Sequence, residues 1–263
     1  MSALVLLLAG ALVGIGLNWL ADNLPPAETG KRPAPRRPHC GACGRHHLWP
    51  YWSALVSLIG RAGRCEHCGA PRPPRLVIVE VIATSGAVLL WWWSGGVWSR
   101  FVPGAAIGGL AILVAVIDIE HQLVLRVVML PAALLLGCLG ALTPGRGPVP
   151  TLLGGLAGYA SVYAIYLFGQ AYAAFQQPRQ GPDVDQVVFG GGDVNLAGVL
   201  GLAVGWPGIW PALFIGICAG GILAVVYELA QLARRRPVAS TLPYAPCLLL
   251  GALLIYFGAG ARP

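Results

Sequence analysis

Two aspartates, Asp118 and Asp193, stand where apolar sequence gives way to polar sequence, and a pair of carboxylates is a minimal set of side chains for acid–base hydrolysis. Asp118 ends the run GGLAILVAVI. A carboxylate at a helix C-terminus opposes the macrodipole at a cost of about 0.3–1 kcal/mol, and no neighbour in the sequence offsets it. Asp193 follows Phe189-Gly190-Gly191-Gly192. Aspartate is an ordinary N-cap, but consecutive glycines also let a backbone approach a substrate or another helix closely. The two carboxylates thus sit at opposite poles of their helices, one at the negative end and one at the positive end. Brought within a few ångströms, two carboxyl groups cannot both ionise and share a proton. The ionised member then draws a proton from water, the water attacks a peptide carbonyl, and the protonated member polarises that carbonyl. Intramembrane carboxylates equally suit a proton- or cation-coupled transporter, and residue types alone leave both readings open.

Cysteines form a second constellation. Cys40-Gly-Ala-Cys43 and Cys65-Glu-His-Cys68 are two C-x-x-C pairs with 21 residues between them. Each pair offers two thiolates from one tight turn, and two such knuckles close a tetrahedral four-sulfur Zn(II) site. Gly44 and Gly69, just past the second cysteine of each pair, suit the knuckle backbone. Two disulfides are the alternative, disfavoured by the cytoplasmic placement derived below. A closed four-sulfur site has no open coordination position, so the expected zinc is structural. His39, His46, His47 and His67 are expected to be solvated, and Cys138, Cys218 and Cys247 to be small core residues.

Ten acids are present in all. Glu80 and Glu228 lie in or near apolar runs; Arg75 is the expected partner of Glu80, while Glu228 is expected to pair with Arg234 or Arg235 or to reach water.

The elements that must position these groups follow from composition. Of 263 residues 57% are hydrophobic and 10% charged, against roughly 25% charged in an average soluble domain. Apolar runs at 2–21, 76–93, 101–117, 123–142, 151–176, 208–232 and 241–259 approach or reach the length that crosses a bilayer, and 194–206 is a shorter eighth. The first lacks a basic n-region and a small-residue cleavage site, so it reads as a retained helix. With the N-terminus outside and eight spans, 14 of the 17 Lys and Arg residues fall inside and three, Arg100, Arg146 and Arg262, outside. Basic residues in short loops mark the cytoplasmic side. The net charge of +7 is thereby accounted for without nucleic acid. The fold class is an all-α polytopic membrane protein of about eight transmembrane helices, with a small cytoplasmic zinc-knuckle domain inserted after the first. The expected division is a first transmembrane helix at 1–22, the zinc-binding domain at 23–75 and a transmembrane core at 76–263. Within the insertion, LWPYWSALVSLIG repeats apolar residues at helical spacing. It reads as an amphipathic helix, either lying at the membrane interface with Trp49, Tyr51 and Trp52 or packing on its own domain.

At this point the ordered set resembles the bacterial prepilin peptidases, the type 4 prepilin leader peptidases. Gly16-Leu17-Asn18 through Leu24-Pro25, the two spaced C-x-x-C pairs, Arg75 through Glu80, Ile117-Asp118, the G-x-G-D of Gly190-Gly191-Gly192-Asp193, and Leu242-Pro243-Tyr244-Ala245-Pro246 all resemble family motifs, in order. The resemblance implies that Asp118 and Asp193 are the catalytic pair. It also implies cleavage of a short basic leader from prepilins or pseudopilins after a Gly, at the cytoplasmic face of the bacterial inner membrane. Many members then methylate the new N-terminus with S-adenosylmethionine, an activity implied here by resemblance alone. The sequence departs from the family pattern at Leu125 and Arg126, where Pro-Asp is usual, and at Asn195, where Lys is usual. The competing readings are the ion-coupled transporter and a scaffold whose knuckles recruit an assembly partner.

Overall fold

In hydrocarbon an unpaired backbone group is costly, so a long apolar segment closes its own hydrogen bonds as a helix. A computed structural model describes residues 3–25, 36–180, 190–233 and 243–259, and each apolar run expected from the sequence is helical over most of its described length. The order is α1 (Ala3–Asn23), α2 (Ala54–Arg61), α3 (Pro74–Trp93), α4 (Trp98–His121), α5 (Arg126–Leu142), α6 (Pro148–Gln180), α7 (Gly191–Val204), α8 (Ile209–Ala233) and α9 (Ala245–Ala259). Five of these, α1, α3, α4, α6 and α8, are long and apolar enough to cross a membrane, while α5, α7 and α9 are shorter apolar helices. Phe189, Leu242, Arg234, Arg235 and Arg236 lie outside the described residues, so the expected Glu228 pairing lies there too. Glu228 itself is exposed.

The chain divides into two units, Met1–Ile117 and Asp118–Pro263. In the first, α1 and α3 meet along Gly10 and Gly14. A Cβ at Gly10 would stand 2.7 Å from Thr84 Cα, and one at Gly14 would stand 2.8 Å from Glu80 Cα. Such small-residue seams let helix backbones close up in lipid. Asn18 Nδ2 donates to the Leu76 carbonyl at 3.0 Å, and Asp22 pairs with Arg75.

That last pair corrects the expected Arg75–Glu80 contact. Glu80 is 1% exposed and caps a different helix. Its carboxylate accepts from Ser53 Oγ at 2.7 Å, Ala54 N at 2.7 Å and Leu55 N at 3.0 Å. These amides are orphan donors at the start of α2, and a buried carboxylate on α3 satisfies two of them. Removing it strands those donors, each at about 1–3 kcal/mol. Glu80→Ala is therefore expected to loosen α2, seen as faster amide exchange at Ala54 and Leu55 with α1 and α3 still protected.

In the second unit α7 is the packing centre, in contact with α5, α6, α8 and α9. Eight of its 14 residues are buried, which is how a helix this short survives. Gly154 and Gly158 of α6 face Gly201 and Ala197 of α7 almost backbone to backbone. A Cβ at Gly201 would drive into the Gly154 carbonyl. Gly201→Ala is expected to cost about 1–3 kcal/mol, read as a lower unfolding midpoint in detergent. At the far end Arg146 donates from a guanidinium nitrogen to the Ala203 carbonyl at 2.6 Å, closing the C-terminus of α7. Cys247 is buried as expected, but Cys138 and Cys218 are exposed on the outer faces of α5 and α8. They are not core residues.

Candidate functional site

Asp118 occupies the last turn of α4 and is 5% exposed. Its Oδ2 accepts from the backbone amide of Ala245 at 3.1 Å. Ala245 is the first residue of α9, so one of that helix's orphan donors is aimed at the carboxylate. The missing compensation for Asp118 is therefore supplied by a helix start 127 residues away. Asp193 sits in the first turn of α7 and is half-buried. It is not the N-cap. That position is Gly190, whose carbonyl accepts from Asp193 N at 3.0 Å. The two aspartates lie close enough for their charges to interact.

The glycine run divides its labour. A Cβ at Gly192 would stand 2.7 Å from Val124 Cβ, whereas Gly191 faces open space. Gly192 therefore lets the start of α7 close onto the segment that leaves α4, bringing Asp193 toward Asp118. Two groups escaped sequence reasoning. Tyr244 and Cys247 flank the start of α9, either side of the Ala245 amide from which Asp118 accepts. The Leu-Pro-Tyr-Ala-Pro motif was the available signal, since proline within the first turn marks a helix start. A groove of about 420 Å³ runs between α5, α6 and α7, and neither aspartate lines it. Arg126 and Asn195, two of the positions that depart from the resembled pattern, both line it.

The cysteines converge in the first unit. The Sγ atoms of Cys40, Cys43, Cys65 and Cys68 all lie within 4.8 Å of one another. Cys40–Cys68 is 3.7 Å and Cys43–Cys65 is 4.0 Å, too long for a disulfide of about 2.05 Å. A tetrahedron with Zn–S bonds of about 2.3 Å has sulfur–sulfur edges of about 3.8 Å, so the donor set fits a metal. The two knuckles repeat one another. Cys40 N donates to Arg45 O and Gly44 N to Cys40 O, as Cys65 N does to Ala70 O and Gly69 N to Cys65 O. Gly44 and Gly69 take φ of 69° and 72°, the left-handed backbone glycine adopts without strain.

One histidine departs from expectation. His47 is 7% exposed and its Nδ1 lies 2.9 Å from Glu66 Oε2, while Leu48 N donates to Glu66 Oε1 at 2.8 Å. Burial pushes the Glu66 carboxyl up, but hydrogen bonds from His47 and from the Glu66 and Leu48 amides outweigh it and hold it at about 2. This clamp ties the second knuckle to the turn at Trp49–Trp52. His39, His46 and His67 are exposed, as expected.

Comparison with known proteins bears on both constellations. Residues 105–225 match the model of the type IV leader peptidase family, and residues 8–94 match that of the bacterial peptidase A24 N-terminal domain. A prepilin leader peptidase/N-methyltransferase of Burkholderia pseudomallei is 26% identical over 246 residues, covering 90% of this chain and 71% of the relative. One of the same name from Bacillus subtilis is 27% identical over 226 residues, covering 84% and 81%. A type 4 prepilin-like protein leader peptide-processing enzyme of Escherichia coli is 27% identical over 227 residues, covering 82% and 74%. No solved structure matches.

Proposed function

The chain belongs to the type IV leader peptidase family and is a multi-pass membrane enzyme of the prepilin peptidase kind, and from that membership we propose the reaction it performs. It is an aspartyl endopeptidase that removes the leader of a prepilin or pseudopilin after a Gly, using Asp118 and Asp193. The observation that carries this is the buried Asp118 carboxylate, held by the Ala245 amide in the same unit as Asp193 at the glycine-rich start of α7.

The pair holds one proton between its members. The ionised carboxylate takes a proton from water as the water oxygen bonds to the scissile carbonyl carbon. The protonated carboxyl polarises the carbonyl oxygen as negative charge develops there. Collapse of the tetrahedral intermediate breaks the C–N bond, and the abstracted proton passes to the leaving amine. Gly190 and Gly191 keep side chains out of the strip where substrate backbone must approach, while Gly192 seats the start of α7 against Val124. Cys40, Cys43, Cys65 and Cys68 would hold a structural Zn(II), which supplies folding energy to its module.

With α5, α7 and α9 counted beside the five longer helices, eight crossings set the N-terminus outside. Both aspartates then face the cytoplasm in the bacterial inner membrane, supported by the distribution of Lys and Arg. N-methylation of the new N-terminus with S-adenosylmethionine joins the proposal because the relatives' names carry it, with no residue assigned to it. The transport reading finds no support among these relatives. Prepilin or pseudopilin and membrane lipid are the partners; nucleic acid is not one.

The test is direct. Purified full-length protein in detergent is incubated with a prepilin, with and without S-adenosylmethionine, and the product N-terminus is weighed by mass spectrometry. The expected product begins immediately after the Gly and is one methyl group heavier when the donor is present. An intact prepilin overturns the protease assignment, and an unmethylated product overturns only the second activity.

A further inference from the structure

The segment 36–73 presents an apolar face that its own fold leaves uncovered. Ala54 and Ser57 are the buried residues of α2 and Leu55 is half-buried, so this helix turns its small side chains inward and most of its large ones out. Ile59 is 88% and Trp49 78% exposed, with Leu48, Val56 and Leu58 also exposed. The alternative of a helix packing on its own domain fails here, because such a helix buries its largest apolar residues.

What covers the face follows from where α2 is anchored. Glu80 binds the start of α2, and Glu80 lies within α3, a helix long and apolar enough to cross the membrane. The Asp22–Arg75 ion pair marks the level at which α1 and α3 meet water. Glu80 is five residues further along α3, about 8 Å at the helical rise. Interfacial helices embed about 5–10 Å into the boundary between headgroups and acyl chains. Charge points the same way. Residues 36–73 contain six arginines and one acid, Glu66, whose carboxylate is engaged by His47 and the Leu48 amide. A zinc tetrathiolate of charge −2 would still leave the segment cationic. Cationic charge beside an apolar face suits an anionic leaflet.

We infer that α2 and the Trp49–Trp52 turn form a membrane-surface anchor, with Trp49, Val56, Leu58 and Ile59 in the headgroup–acyl boundary of an anionic leaflet, held at that depth by Glu80. The inference is independent of the proposed reaction. It makes the zinc module a fixture of the membrane surface instead of a domain hanging free in solution.

The test uses full-length protein carrying photoreactive benzoylphenylalanine in place of Ile59, reconstituted in vesicles of phosphatidylglycerol and phosphatidylethanolamine. After irradiation, mass spectrometry is expected to find phospholipid adducts, several-fold more than with the same group in place of Arg64. Zinc content equal to that of the unsubstituted protein certifies the fold, and if position 59 lowers it, Trp49 carries the probe. In vesicles of phosphatidylcholine alone the adduct yield is expected to fall several-fold. Adducts with a second copy of the chain, or none at all in zinc-replete protein, overturn the anchor. Equal yields in neutral and anionic vesicles overturn the preference for an anionic leaflet.

Discussion

Asp118→Asn and Asp193→Asn are each expected to lower leader cleavage by about 10²–10⁴-fold, the range for losing one acid–base group. Asparagine keeps the shape of aspartate and one carbonyl-type acceptor. At position 118 it still accepts from the Ala245 amide that Asp118 Oδ2 engages, so the α4–α9 contact survives and the loss reports chemistry. The double variant is expected to be no worse than the poorer single one, because members of one catalytic unit are grossly non-additive. Initial cleavage rates of a prepilin, compared at equal amounts of inserted protein, measure this. Rates within about threefold of the unsubstituted enzyme for both variants, against the expected factor of 10² or more, would remove the pair from the mechanism. Asp118→Ala differs, since it also strands an amide at the start of α9 and is expected to lower stability by about 1–3 kcal/mol besides.

Cys65→Ser removes a buried member of the tetrad, 4% exposed. Structural zinc contributes on the order of 10 kcal/mol to folding small modules at neutral pH, more than a segment of this size gains from its own apolar core. The expected result is loss of stoichiometric zinc together with rapid proteolysis between residues 36 and 73, reproduced in the unsubstituted protein by a strong chelator. Full zinc occupancy in the variant, read by elemental analysis, would show that three thiolates suffice and overturn the closed four-sulfur site. Glu66, held by His47 and Leu48, does not substitute for Cys65 in this expectation.

Much of this protein was legible because lipid simplifies the code. Long apolar runs could only be helices, and the polar residues that interrupted them, Asp118 and Asp193 above all, stood out against that background. The cysteine spacing was legible because a metal demands ligands from two tight turns, whatever lies between. Contacts between carboxylates and distant helix starts were not legible. Glu80 caps α2, 26 residues earlier in the chain, and Asp118 receives the amide of Ala245, 127 residues later. Both partners are backbone amides, which every residue but proline offers, so no residue type announces them. Charge and proximity in the sequence favour Arg75 for Glu80, yet Arg75 pairs with Asp22 on α1. His47 was misread for a related reason: its burial depends on Glu66 folding back across the knuckle. The outward turn of α2 was equally hidden, because amphipathic spacing reveals that a helix has two faces and not which medium each one meets.

The brevity of α7 sets the terms on which water enters. Fourteen residues rise about 21 Å, whereas the hydrocarbon slab is about 30 Å thick. A carboxylate stands in its first turn and the Arg146 guanidinium grips its last, and neither charged group tolerates bare alkane. On the eight-crossing reading proposed above, the shortfall is made up by a solvated indentation at one pole or both. An indentation at the Asp193 pole would deliver the reactant that hydrolysis consumes straight to the carboxylates, sparing it a passage through oil.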